Sequence, residues 1–316
     1  MTTAAQVPAT AGTRPRDPSA PVRGGSGRSG SGGGNAGLWF TLPFLVVFAG
    51  FLLWPVVYGL YLAFTDASLT GAGGDLVGFG NFGEALGDPL VWRTLLNTVY
   101  FTIASTIPLV VIPLVMALLV HLGLPGQWLW RLAFFAPYLL PVTVVSLTWV
   151  WIFQPQLGLL NDWLGAVGIG PVLWLQQEST AMWGIVIATV WWTAGFNFLL
   201  YLAGLQGIPG HVYEAAALDG AGPWRVLRSV TLPMLGRTTG LVVVLQLLSS
   251  LKVFDQIYQM TTGGPNNSTR SVLLYVYDQG FSGYRLGYAS AIANIFFLII
   301  VVLSIAQLRL FNRREA

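Results

Sequence analysis

The sequence predicts an all-α integral membrane protein with six spans, and two observations carry this prediction. Hydrophobic residues make up 54% of the chain and charged residues only 9%, whereas a soluble domain has about 25% charged residues. Stretches of about 20 mostly apolar residues, the length that crosses a bilayer, recur along the chain. The predicted spans cover residues 38–64, 94–122, 132–153, 182–206, 238–258 and 286–311.

The first 37 residues differ from the rest of the chain. They are rich in Gly, Ser, Pro and Thr and contain almost nothing that could be buried. We therefore expect residues 1–37 to form a disordered cytoplasmic tail, and residues 38–316 to form one membrane domain.

The polar segments between the spans alternate in charge. One side of the predicted membrane carries the tail and most of the basic residues, whereas the other carries three arginines against seven carboxylates. Because positively charged loops stay inside the cell, we expect both termini to be cytoplasmic. The basic residues on this side are Arg131, Arg225, Arg228, Arg237, Arg309, Arg313 and Arg314.

Several classes of site are excluded by composition. The chain has no cysteine and only two histidines, His121 and His211, far apart in the sequence, so we expect no metal site. The one lysine, Lys252, is followed by valine, so there is no phosphate-binding loop of the Gly-Lys-Ser/Thr type. We expect no cofactor bound to this chain, and the net charge of +3 does not indicate a nucleic-acid partner.

A polar loop of residues 208–235 interrupts the apolar pattern. Pro209 can begin a helix that Gly220 ends, and Pro223 can begin a second helix that stops at Pro233. A loop that only reconnects two spans needs fewer residues, so this one is predicted to be a docking surface. The alternative is an amphipathic hairpin lying in the membrane interface.

The motif inside this loop resembles the EAA loop of ABC importer permeases: Glu214-Ala215-Ala216, then Asp219-Gly220-Ala221, then Leu232-Pro233. Four further segments are similar to the sugar-transporting branch of that family, with its maltose-type and glycerol-phosphate-type members. They are residues 131–141, 202–206, 252–255 and 260–265, and the resemblance extends from residue 40 to the C-terminus.

The resemblance implies a six-helix type I ABC importer transmembrane domain in the cytoplasmic membrane. It implies a chain that is not itself an enzyme and that works with ABC ATPase subunits, which bind ATP, and a second homologous permease subunit. It also implies an extracytoplasmic solute-binding protein that delivers a carbohydrate. The residues expected to couple the chain to the ATPase are Tyr213, Glu214, Ala215, Ala216, Asp219 and Gly220.

Polar residues inside the spans predict a path for the solute, since such residues are costly to expose to lipid. We expect hydroxyl and amide groups to bind the hydroxyls of a sugar and an aromatic face to stack on its ring. The predicted path residues are Tyr138, Thr189, Thr193, Gln246 and Ser250. The alternative is that these groups only join neighbouring helices.

Lys252 and Asp255 are three residues apart in the fifth predicted span. On one helix they can form an ion pair, and we expect a structural pair near the outer mouth. A proton relay is the alternative reading of two charges in a span.

Other functions remain open at this point. Transport of glycerol phosphate would need basic residues in the path, and Lys252 is the only one, which favours an uncharged sugar. An ion-coupled secondary transporter commonly has internal repeats, and none is visible. A membrane enzyme such as a lipid-linked glycosyltransferase would need paired carboxylates or an acidic metal-binding motif.

Overall fold

A computed structural model describes residues 34–71, 74–123 and 125–315. Most of the predicted tail, residues 1–33, lies outside the described residues, and residues 34–37 already belong to the first helix. The chain forms two compact units, one ending at Trp54 and the other beginning at Pro55. In the described part of the first unit, helix α1 covers Gly34–Phe48 and a π turn covers Ala49–Leu53.

Helices also make up nearly all of the regular structure that is described in the second unit. Thr65 pairs with Leu76, and Ser68 with Arg285, in isolated bridges. The helices are α2 Trp54–Leu62, α3 Gly80–Gly87, α4 Pro89–His121, α5 Gln127–Phe135, α6 Val142–Ile152, α7 Leu159–Ala166, α8 Glu178–Gln206, α9 Gly210–Leu218, α10 Pro223–Val226, α11 Leu232–Met234, α12 Gly236–Leu251, α13 Asp255–Met260, α14 Val272–Tyr277 and α15 Leu286–Glu315.

Four helical segments among the described residues are long and apolar enough to cross a membrane, and two bent pairs of helices raise the number to six if each pair is one span. The single segments are Trp39–Leu62, Pro89–His121, Glu178–Gln206 and Leu286–Gln307, and the bent pairs are Gln127–Leu139 with Val142–Ile152 and Pro223–Met234 with Gly236–Leu251. The all-α membrane fold predicted from the sequence is therefore confirmed.

Helices α4, α8 and α12 form the centre of the second unit. Their contact buries aromatic and aliphatic side chains completely, such as Phe198 and Tyr201 of α8 beside Ala117 of α4 and Val242 of α12. Small and polar residues let α4 approach its neighbours, since the buried hydroxyls of Thr94, Thr98 and Thr102 each bond a carbonyl of their own helix, as Thr98 does with Thr94 at 2.8 Å. These helices are the scaffold for everything described below.

The third predicted span is not one straight helix. Helix α5 continues as a 3₁₀ turn to Leu139, and α6 then leaves at 97°. Pro141 has no N–H to extend the helical hydrogen bonds, and the carbonyl of Leu140 instead accepts a bond from Trp192 Nε1 at 3.1 Å. Gly195 touches the Phe134 backbone so closely that a Cβ there would overlap it. The predicted span over residues 132–153 therefore contains a sharp bend at Pro141, one of the two prolines inside it.

The fifth predicted span is broken as well. Helix α12 ends at Leu251, and α13 begins only at Asp255. Between them the carbonyl of Val253 accepts a hydrogen bond from Ser271 Oγ at 2.9 Å, so a contact from a distant part of the chain replaces the helical bond. The predicted span over residues 238–258 is therefore interrupted between Leu251 and Asp255.

A cluster around Asp88 joins α4 to α14 and α15 at the end of α4 far from His121. The Asp88 carboxylate accepts bonds from Leu90 N at 2.8 Å, Tyr275 Oη at 2.6 Å and Tyr288 Oη at 2.8 Å. Burial alone would raise the pKa of Asp88, but these donors stabilise the anion and together lower the pKa below its ordinary value. Burial and the bond to Asp88 raise the pKa of Tyr275 to about 12.

Candidate functional site

The polar loop of residues 208–235 folds as two helical segments joined by a bend, as the sequence predicts. Helix α9 starts after Pro209 and ends in a Schellman motif, where Gly220 N bonds Ala217 O and Ala221 N bonds Ala216 O, both at 3.0 Å. Gly220 has a φ of +69°, a conformation that glycine adopts without strain. The glycine therefore fixes the direction in which the second segment leaves.

The second segment runs from Pro223 to Met234 and meets α12 at 58°. This second segment continues through Pro233 to Met234 instead of ending at the proline as predicted. A π turn over Leu227–Thr231 precedes the proline, and its wider hydrogen-bond spacing accommodates a residue that has no N–H. Arg225 and Arg228 are exposed on this segment.

The six predicted coupling residues face two ways. Ala216 is buried and Tyr213 is half-buried, with its hydroxyl 3.4 Å from Thr231 Oγ1 and its ring 6.5 Å from that of His121. Tyr213 therefore connects the loop to α4, and Ala216 lies on the same, buried face of α9. The other four, Glu214, Ala215, Asp219 and Gly220, are exposed.

All five predicted path residues line one cavity of about 460 Å³. The cavity lies among α4, the 3₁₀ turn after α5, α8, α12 and α13. Its wall consists of Phe101, Tyr138, Thr189, Trp192, Thr193, Phe196, Leu245, Gln246, Ser249, Ser250, Lys252, Val253, Asp255 and Gln256. Phe196 and Gln256 were not among the path residues predicted from the sequence, because neither belongs to a set of polar residues spaced four apart in a span.

Gln246 and Ser250 form a buried network that joins three helices. Gln246 Nε2 donates to Ser250 Oγ at 2.9 Å, and Ser250 Oγ lies 3.0 Å from Ser105 Oγ of α4. Gln246 Oε1 accepts from Asn197 Nδ2 of α8 at 3.1 Å, and that amide also donates to Leu109 O. These two path residues thus join neighbouring helices as well as line the cavity.

Other groups on the wall keep hydrogen-bonding capacity. Thr189 and Thr193 donate to the carbonyls of Ile185 and Thr189, each at 2.8 Å, which leaves their oxygen lone pairs as acceptors. Tyr138 is 38% exposed, stacks on Phe196 with ring centroids 5.4 Å apart, and its hydroxyl bonds no group in the described part of the chain. The wall therefore combines an aromatic face with hydroxyl, amide and charged groups.

Lys252 and Asp255 do not form the predicted ion pair: no salt bridge joins them in the described residues. The pair assumed an unbroken helix, but α12 ends before Lys252 and α13 starts at Asp255. Both side chains are exposed and lie on the cavity wall. They contribute one positive and one negative charge to it.

A larger cavity of about 570 Å³ lies on the other side of α8. Its lining residues, among them Ala104, Ile112, Trp183 and Trp191, are all apolar or aromatic. Such a wall has only indole N–H groups to offer a solute rich in hydroxyls, so the smaller polar cavity is the candidate solute site.

A metal centre has no basis in the described residues, where no group of three or more His, Cys, Asp or Glu side chains comes together. A bundle of apolar helices with a partly polar cavity among them and a polar hairpin, residues 208–235, at one end is the arrangement expected of a membrane transport protein.

Comparison with known proteins is consistent with that class. The chain belongs to the family of binding-protein-dependent transport system inner membrane components, whose sequence model matches residues 91–316. It is therefore a membrane-embedded permease subunit.

Individual relatives match over nearly their whole length. The sulfoquinovosyl glycerol transport system permease protein SmoG of Agrobacterium fabrum is 32% identical over 86% of this chain and 89% of its own. The trehalose/maltose transport system permease protein MalF of Thermococcus litoralis is 33% identical over 86% of this chain and 92% of its own. A bacterial ABC transporter that imports the acidic polysaccharide alginate is similar in structure, with a TM-score of 0.78, 24% identity and coverage of 88% of this chain and 96% of that one. The fold is thus that of type I ABC importer permeases.

Proposed function

We propose that this chain passes a carbohydrate across the cytoplasmic membrane as one of two permease subunits, driven by separate ATPase subunits. The proposal depends mainly on one observation. One and the same cavity inside the bundle is lined by Tyr138, Thr189, Thr193, Gln246 and Ser250. Two of the relatives are named for the transport of sugars or sugar derivatives, which supports this class of solute.

The hairpin of residues 208–235 faces the cytoplasm in this proposal. The basic side of the chain, which includes Arg225 and Arg228 of the hairpin, is then inside the cell. The sequence contains no Gly-Lys-Ser/Thr motif, so the ATPase is a different polypeptide. The exposed Glu214 can meet a basic residue of that subunit across the interface.

The proposed cycle needs a rigid connection between hairpin and bundle. Tyr213 supplies it, because its ring lies beside His121 of α4 and its hydroxyl beside Thr231 of the second segment, and the buried Ala216 lies on the same face of α9. Closure of the ATPase subunits on ATP moves the hairpin and turns the bundle outward, where a binding protein delivers the solute. Hydrolysis returns the bundle to its inward state.

The cavity supports an uncharged sugar more than glycerol phosphate. A phosphate needs several donors or cations around it, and the wall has one cation, Lys252, with the carboxylate of Asp255 three residues away in sequence. A sugar needs neutral donors, acceptors and an aromatic face, and the wall has all three.

The test is ATP-dependent uptake into proteoliposomes that contain this chain, its partner permease, the ATPase and the binding protein. We expect labelled sugar to accumulate with ATP and wild-type chain, and accumulation to be lost with Glu214→Lys while membrane insertion is unchanged. Glycerol phosphate uptake at the expense of sugar would contradict the solute class. Uptake driven by an ion gradient without ATP would point to a secondary transporter, and turnover of a lipid-linked sugar to an enzyme.

A further inference from the structure

The apolar cavity of about 570 Å³ beside α8 is a long space with walls from four helices, α4, α5, α6 and α8. Helix α4 contributes every fourth residue from Ala104 to Met116, and α8 contributes residues from Trp183 to Ala194. Residues at this spacing form a stripe along one face of a helix. The cavity is therefore lined by two apolar stripes.

The two stripes run side by side in the same direction. The ring of Tyr100 lies 6.0 Å from that of Trp183, and further along both helices Leu109 O accepts a bond from Asn197 Nδ2 at 2.9 Å. Both pairs lie at the contact between α4 and α8, so these helices are parallel. The cavity consequently extends lengthwise between them.

The dimensions of the cavity decide what can fill it. From Ala104 to Met116 the helix rises about 18 Å, which is close to the thickness of one leaflet's hydrocarbon, about 15 Å. Spread over that length, a volume of about 570 Å³ leaves a cross-section of only about 30 Å². A helix with its side chains, about 10 Å across, needs about 80 Å². The space therefore fits one hydrocarbon chain and is too narrow for a helix.

Arg131 lies at the end of the cavity that is nearer the hairpin. Phe134, which lines the cavity, packs edge-to-face on Phe198 of α8 with ring centroids 5.5 Å apart, beyond the last lining residue of that helix, Ala194. Arg131 precedes Phe134 by three residues, so both lie on the same face of α5.

The guanidinium of Arg131 has donors to offer. It is half-buried, its Nη2 lies 3.4 Å from Gln127 Oε1, and its buried Nε has no hydrogen-bond partner in the described chain. No carboxylate of the described residues forms an ion pair with it. Trp128 and Trp130 of the same helix are exposed, as is typical of indoles at the level of lipid headgroups. A phosphate at that level fits this arginine.

We propose that the apolar cavity holds one acyl chain of a phospholipid from the cytoplasmic leaflet, and that Arg131 binds the phosphate of this lipid. Since four helices wall the cavity, the lipid is a bound component of the protein, unlike the lipids that only surround its outer surface. Helix α8 separates it from the polar cavity. The inference goes beyond the proposed function, and only the choice of leaflet uses the orientation given there.

The headgroup contact is tested on the complex of this chain with its partner permease and ATPase, stripped of loosely bound lipid in detergent. Native mass spectrometry counts the phosphatidylglycerol that the complex retains during a titration. One tightly bound molecule per copy of this chain is expected. Arg131→Gln should weaken its binding about tenfold, because a charge-assisted bond is lost. Arg228→Gln is the matched control, since Arg228 is an exposed arginine of the hairpin, and it should bind as the wild type does.

The acyl-chain contact has its own variant. Ala133→Trp adds an indole to the cavity wall at an exposed position and should abolish retention of the lipid. Ala166→Trp adds the same bulk at an exposed position of α7 and should leave retention unchanged. Diacylglycerol, which has chains but no phosphate, should bind the wild type and Arg131→Gln equally. If Ala133→Trp does not fold, the Arg131→Gln titration still decides.

Two results would overturn the inference. One is equal affinity of the wild type and Arg131→Gln for phosphatidylglycerol, or retention of the lipid by folded Ala133→Trp. The other is capture of the partner permease, and no lipid, by a photo-cross-linker attached to Ala133→Cys, which would show that protein fills the cavity. Sugar uptake is measured separately, so a complex that retains the lipid but transports no sugar contradicts the proposed function alone.

Discussion

Asn197 Nδ2 donates a hydrogen bond to Gln246 Oε1 at 3.1 Å, and this bond connects α8 to α12 behind the cavity. The same amide donates to Leu109 O of α4 at 2.9 Å. One buried side chain therefore joins the three central helices, and the shape of the cavity depends on it.

Asn197→Ala is expected to destabilise the protein, because it leaves the Leu109 carbonyl and the Gln246 amide without their donor. The expected loss is about 1 kcal/mol in the free energy of unfolding, the usual magnitude for a hydrogen bond between membrane helices. Thermal unfolding in detergent measures it. Ser304→Ala is the control, because that hydroxyl bonds only Ile300 O of its own helix. Equal melting temperatures for the two variants would contradict the role given to Asn197.

Tyr138→Ala is expected to raise the sugar concentration for half-maximal uptake about tenfold, because a stacking contact is worth about 1 kcal/mol and a hydroxyl contact adds to it. Binding of the ATPase to the variant stays at the wild-type level. Trp183→Ala is a matched control from the apolar cavity on the other side of α8. A larger effect of Trp183→Ala than of Tyr138→Ala would show that the solute binds in the apolar cavity, and would contradict the assignment of the polar one.

Gly220→Ala is expected to destabilise the hairpin by about 1 kcal/mol, because alanine is strained at a φ of +69°. Gly222→Ala is the matched control: it lies two residues away at a φ of −66°, and both positions are open to an added methyl group. Hydrogen exchange of the backbone amides in α9 reports the difference. Equal exchange rates in the two variants would show that the bend does not require a glycine at position 220.

Lys252→Met and Asp255→Asn are expected to act independently, because no ion pair joins these side chains in the described residues. In a double-mutant cycle on thermal stability, the coupling energy should stay below about 0.5 kcal/mol. A coupling well above that value would show that the ion pair predicted from the sequence exists in the membrane.

Asp88 gives the protein a specific acid sensitivity. Its pKa in the folded protein lies below the ordinary value of 3.8, so an unfolded chain takes up a proton at this residue before the folded one does. The stabilisation is complete well above pH 3.8 and is lost as the pH falls through the folded pKa. Thermal melts between about pH 3 and pH 7 should show a steeper acid decline for the wild type than for Asp88→Asn. The exposed Asp75→Asn should keep the wild-type slope.

Local composition and chemistry predicted much of the fold. The apolar stretches identified the spans because a run of about 20 apolar residues crosses a bilayer as a helix that satisfies its own backbone hydrogen bonds. The proline and glycine positions of the hairpin identified its two helical segments and the bend. The helix ends were less well predicted: α4 starts at Pro89, five residues before the predicted 94, because Asp88 caps a first turn that Arg93 separates from the predicted apolar stretch.

Tertiary contacts decided what the sequence did not show. The 97° turn after Leu139 depends on the Trp192 bond to Leu140, and the break before Asp255 on the Ser271 bond to Val253. That break separates Lys252 from Asp255 and puts both on the cavity wall. Because Gln246 and Ser250 are polar residues within a span, the sequence could predict that they lie inside the bundle. Only the folded chain shows that they both join neighbouring helices and line the cavity.

Site-specific cross-linking from the hairpin tests the central claim most directly, and the absence of cysteine from the chain gives a clean background. Ala217→Cys places a single thiol on the exposed side of α9. In inverted membrane vesicles that contain the full complex, a thiol-reactive photo-cross-linker at this position should capture the ATPase subunit, and capture should change when ATP is added. A thiol labelled only from the outer side of the membrane, or cross-linked only to lipid, would contradict the account.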